Sequence, residues 1–164
     1  MGLQLPDELR SLLGILGFNW PEADEQKLAE MGQAWMSFAG TLGSIVGTAN
    51  AGAAPVWTGN SGADITAFQQ WWSNEEGPVA SIRDGVPAAT LTGTGLVICG
   101  MIVLALKIAV IVQLVILAIQ IAQAIATAAV SFGATLLEIP IFQQLARTVV
   151  SNLFQEVLFT LLEA

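Results

Sequence analysis

The chemistry open to this chain is bounded first by what it lacks. It contains no histidine and no tyrosine, so the commonest general base and the phenolic acid are both missing. Its single cysteine, Cys99, lies among Val97, Ile98 and Met101, surroundings that suit a small buried apolar residue rather than a reactive thiolate. No Cys/His cluster offers a zinc site, and Gly93-Thr94-Gly95 lacks the remaining glycine and the lysine of a phosphate-cradling loop. The carboxylates of Glu22, Asp24 and Glu25 could hold a cation, but acids at a helix start complement the positive end of the helix dipole, so they read as a solvated helix start. The residues therefore predict no enzyme, no catalytic or metal-binding residue and no cofactor. One constellation stands apart, Trp57-Thr58-Gly59. Glycine permits the positive φ that a tight interhelical turn uses, and tryptophan can plug the end of the groove between two helices.

Composition narrows the class. Of 164 residues, 54% are apolar and 11% charged, against about 25% charged in ordinary soluble domains, and the mean hydropathy is +0.69. Such a chain can bury a large core and still keep apolar surface that needs another chain or a membrane. The net charge of −8 is concentrated before residue 85, where ten acids face three bases. Phosphate binding needs clustered Lys and Arg, so a nucleic-acid partner is not expected. The N-terminus has neither a basic n-region nor a small-residue cleavage site, so no cleaved signal peptide is expected.

These side chains must be positioned by helices. Residues 6–16 start with Pro6, Asp7 and Glu8, place Leu9, Leu12, Leu13 and Leu16 on one face, and stop at Gly17. A second helix is expected from Asn19, with a seam at Leu28, Met31, Trp35, Phe38, Leu42, Ile45 and Ala49, the 3–4 spacing of heptads. It should end at residues 50–55, where Pro55 intervenes. After the Trp57–Gly59 turn, Ser61 and Asp64 resemble a capping box. A third helix carries Ile65, Phe68 and Trp72, making an antiparallel hairpin with the second. Gly77-Pro78 breaks it, and residues 85–95, rich in Gly, Pro, Thr and Ala, read as a linker or bend. Residues 96–130 carry one charge, Lys107, and residues 108–137 none. That is enough helix to cross a bilayer. Gln113, Gln120 and Thr127 recur every seven residues with Gln123 nearby, a polar stripe that predicts interhelical hydrogen bonds or a water-facing side. Pro140 should end or kink this region before a last helix over 141–162. The fold predicted is all-α, a helical hairpin extended by long apolar helices into an elongated bundle. Its segments are 1–18 (amphipathic helix), 19–90 (hairpin) and 91–164 (apolar, partner-packing or membrane-inserting).

The order of these features resembles the WXG superfamily of type VII secretion substrates. More closely, it is similar to the N-terminal domain of tuberculosis-necrotizing-toxin-type polymorphic toxins, which are described as outer membrane channel-like. The carrying residues are Leu5-Pro6-Asp7, Gly17-Phe18-Asn19-Trp20-Pro21, the run from Asp24-Glu25 to Met31-Gly32-Gln33-Ala34-Trp35, Val56-Trp57-Thr58-Gly59, Ala67-Phe68 and Gly77-Pro78. The resemblance covers roughly residues 3–130. It implies secretion to the exterior or cell envelope through a type VII machine without a cleaved signal, and helix-to-helix pairing with small WXG proteins. The Tyr-x-x-x-Asp/Glu secretion signal of such systems requires a tyrosine that this sequence lacks, so a partner would carry it. Residues 1–164 contain no toxin domain, so an excised targeting module or a stand-alone homologue is expected. The leading expectation is thus a secretion targeting and translocation domain that packs a partner along Leu28–Ile45, Ile65, Phe68 and Trp72. The alternatives are a pore-forming or membrane-inserting protein, with Gln113, Gln120, Gln123 and Thr127 lining water, and a structural adaptor bundle.

Overall fold

Helix α1 (Asp7–Ile15) begins where the sequence supplies its start: Pro6 fixes the preceding backbone and Asp7 and Glu8 fill the first turn. It stops where Gly17 turns left-handed at φ 84°. The computed structural model describes residues 2–163 and continues with α2 (Glu25–Thr58), α3 (Ala63–Ser73), α4 (Ala80–Thr127), a 3₁₀ turn (Ala134–Glu138) and α5 (Ile139–Glu163). The protein is all-α among the described residues. Pro140 stands in the first turn of α5, where its missing N–H costs nothing; it starts this helix and does not end one.

The chain forms two compact units, residues up to 27 with those from 99 onward, and residues 28–98. The position 90/91 lies inside α4 (Ala80–Thr127). In the first unit Leu5, Leu13 and Leu16 meet Leu106, Val110, Leu114 and Leu117 of α4 and Ala146 and Val150 of α5. Phe18 stacks on Phe154 with ring centroids 5.6 Å apart. An amphipathic α1 thus lays its leucines on two apolar helices, and the area removed from water holds the unit together.

In the residues 28–98 unit, α2 runs antiparallel to α3 and then to the first part of α4. Trp57 meets Phe68, Asn50 accepts a 2.9 Å hydrogen bond from Trp72 Nε1, Leu42 lies against Gly85 and Gly32 against Gly93. The last pair is a backbone crossing: a Cβ on either glycine would stand 2.6 Å from the other's carbonyl oxygen. Two expectations fail here. Residues 50–55 do not end α2, which continues through Pro55 to Thr58, and residues 85–95 are not a linker but the interior of α4, Pro87 included. The threonines that made this segment look loop-like turn their hydroxyls onto their own helix. Thr90, Thr92 and Thr94 each donate to the carbonyl four residues back at 2.9 Å. Its glycines serve the crossing.

Candidate functional site

The seam read from the sequence divides on α2. The face turned inward carries small residues, with Gly32, Ala39 and Ala53 buried at multiples of seven. Leu28, Leu42 and Ala49 are half-buried beside it. Met31, Trp35, Phe38 and Ile45 stay outside, 41–51% exposed. Trp35 and Phe38 meet edge to face at 5.9 Å, and with Ala34 they line an apolar notch of about 220 Å³. Four large apolar side chains on one exposed stripe are what an interaction surface requires and a solvated helix face does not.

The Trp57–Gly59 motif is not a free turn. Trp57 and Thr58 belong to the last turn of α2, and the Gly59 N–H donates to Pro55 O at 3.0 Å. Gly59 is not among the residues of positive φ; that role falls to Gly62, at φ 149°, in a region essentially reserved for glycine. Gly62, with no side-chain cap, precedes α3, so the capping box expected at Ser61 and Asp64 does not form. Trp57 is half-buried and its ring lies 5.9 Å from Phe68, which also meets Trp71 and Trp72 at 5.9 and 5.8 Å. The tryptophan ties the end of α2 to α3 by its ring. Ile65, Phe68 and Trp72 are each half-buried, whereas Trp71 is 55% exposed.

Along α4 the glutamine stripe also divides. Gln113 and Gln120 are half-buried beside Phe142, Leu145, Ala146 and Val149 of α5, around a groove of about 100 Å³. Gln123 and Thr127 are exposed, and the Thr127 hydroxyl donates to Gln123 O at 2.9 Å.

Sequence reasoning missed the polar centre of the first unit. Lys107 is 1% exposed. Its Nζ donates at 2.7 Å to Glu25 Oε2 and at 2.7 Å to Ala23 O, and stands 5.7 Å from the centroid of Trp20. Glu25, read as part of a solvated helix start, is instead 8% exposed, and its other oxygen accepts from the Leu3 N–H. The helix start is capped by Asp24, whose Oδ1 accepts from the Lys27 N–H at 3.0 Å; that bond holds its carboxyl below the ordinary value. The signal was present: the one charge in residues 96–130, Lys107, must find an acid or water. Which of thirteen acids it finds depends on the fold.

Burial pushes the Glu25 carboxyl up, but the Leu3 N–H, the Lys107 ammonium and its own backbone N–H outweigh it and bring the pKa from 4.5 to about 2. A folded-state value below the unfolded one gives stability that is present above pH 4.5 and lost as pH falls toward 2. Thermal melts followed by circular dichroism from pH 6 to pH 2 should show this loss, and Glu25→Gln should flatten that part of the profile.

The family model described as WXG100 like domain matches residues 5–149, from the segment ahead of α1 to the middle of α5. Neither the curated proteins nor the solved structures compared with the chain give a match. WXG domains of this kind are type VII secretion-related helical proteins, and with most of its length inside that match the chain belongs to the WXG100-like domain family.

Proposed function

We propose that the chain is a targeting and translocation domain of a polymorphic toxin, carried through a type VII secretion machine as a helix-to-helix assembly with a small WXG partner. The observation that carries this reading is the α2 stripe. Its small-residue face takes up the packing of residues 28–98, which leaves Met31, Trp35, Phe38 and Ile45 for another helix. The Trp35–Phe38 notch suits a single knob from such a helix. The missing tyrosine-based signal then belongs to the partner. Co-expression with a small WXG protein encoded beside this chain should yield a complex of 1:1 or higher order. Trp35→Asp with Phe38→Asp should weaken that complex by about a hundredfold, as expected for buried aromatic anchors. A wild-type chain that stays a soluble monomer in the partner's presence would overturn the proposal.

A second reading, a membrane-inserting helical protein, is favoured by α4. This helix and residues 134–163 are long and apolar enough to cross a membrane by length and composition. Ile108, Val112, Ile116 and Ile119 of α4 are 43–52% exposed.

A further inference from the structure

The connection between α4 and α5, within the first unit, is built unlike a loop in water. Gly, Pro, Asn, Asp and Ser dominate such turns. Here Phe132 is fully exposed, Val130 is 84% and Leu137 76% exposed. The polar groups turn inward. Thr135 Oγ1 donates to Ala124 O at 2.8 Å and lies 3.0 Å from Ser131 Oγ. The backbone closes on itself, Gly133 N–H donating to Ala128 O at 2.8 Å and Ser131 N–H to Thr127 O at 3.0 Å. Phe132 also sits at φ 49°, the only non-glycine of positive φ among the described residues. Asn, Asp and Gly favour that conformation and a bulky side chain is an outlier there. The chain therefore accepts backbone strain to hold an aromatic ring where nothing of its own buries it.

The electrostatics agree. From residue 99 to residue 137 the one formal charge is Lys107, and it is buried against Glu25. The arm leading to the connection offers its surroundings no charge at all. Within residues 128–137 the combination is the one a hydrocarbon phase demands, apolar side chains outward, hydroxyls and backbone amides bonded inward and no charge; Gln123 before this segment and Glu138 after it are exposed. A protein interface would instead meet a polar rim with hydrogen-bonding groups on offer.

We propose that residues 128–137 are a membrane-entry tip, the segment that first enters the hydrocarbon core of a lipid bilayer, led by Phe132 with Val130 and Leu137. The proposal rests on the second reading above and adds to it the element that makes contact. The test is flotation of the full chain with phosphatidylcholine vesicles, with and without phosphatidylglycerol. Wild type should float with both compositions. Phe132→Asp should float about tenfold less while melting no lower than wild type, because aspartate tolerates the left-handed backbone. Phe132→Leu should retain flotation, and Trp35→Asp, remote from the tip in sequence and on the partner stripe, should float as wild type. If Phe132→Asp floats as well as wild type, the tip assignment fails and the membrane reading stands. If wild type does not float with either vesicle, both fail. If Phe132→Asp abolishes a concentration-dependent dimer instead, the tip binds a second copy and the proposal is overturned.

Discussion

Glu25→Leu is expected to destabilise the first unit by about 3–5 kcal/mol, the cost of stranding one member of a buried ion pair. The ammonium of Lys107, 1% exposed, would keep Ala23 O and the face of Trp20. Lys107→Met should cost less. Glu25 would still accept from the Leu3 N–H, and it stands in the first turn of α2, where the helix dipole favours a negative charge. The double variant Glu25→Leu/Lys107→Met should recover most of the loss, since an apolar pair of similar volume often matches or exceeds a buried ion pair. Urea unfolding of the four proteins measures the cycle. Equal, small and additive effects of the two single changes would mean that the pair does not hold residues 2–25 onto α4.

Gly93→Val should be the most damaging single change in residues 28–98, at about 3 kcal/mol or more. Even a lone Cβ there would stand 2.6 Å from Gly32 O, 2.8 Å from Met36 Cγ and 3.1 Å from Met36 N, so backbone as well as side chain must move. Helix propensity, which favours replacing glycine by up to about 1 kcal/mol, cannot offset an overlap of that kind. Gly43→Ala on α2 gives the opposite sign. Nothing lies within 4 Å of its added Cβ, so only the propensity gain of about 0.5–1 kcal/mol remains. Paired thermal melts would read both. A Gly93→Val protein as stable as wild type would remove the crossing from the account of how α2 and α4 pack.

Much of the helical framework was legible in the residues. Pro6 with Asp7 and Glu8 marked the start of α1, and Gly77-Pro78 marked the break before α4. What misled was composition at the ends and crossings of helices. Pro55 signals a stop, yet α2 runs one turn past it because Trp57 finds Phe68 there, a tertiary contact that overrides propensity. The Gly/Thr/Ala run at 85–95 has the content of a linker, but Gly93 is required by close approach and the threonines satisfy themselves on their own helix. The α2 seam is mixed in facing, with Leu28, Leu42 and Ala49 half-buried and Met31, Trp35, Phe38 and Ile45 exposed. Its 3–4 spacing does not distinguish large residues that face outward from small ones that face inward, since both recur on the same heptad. The Glu25–Lys107 pair was legible only as a need for some acid, because its partners lie 82 residues apart and only the fold brings them together.

Hydroxyl-radical footprinting tests directly whether a partner helix covers the α2 stripe, because Met, Trp and Phe are reactive probes already in place. Oxidation of Met31, Trp35 and Phe38 should fall about tenfold in the complex with a small WXG protein, as burial of an anchor patch removes them from solvent. Trp71, exposed and off the stripe, should oxidise equally in the free and assembled chain. If Met31, Trp35 and Phe38 remain as reactive in the complex as in the free protein, the partner binds elsewhere and the α2 stripe is not its site.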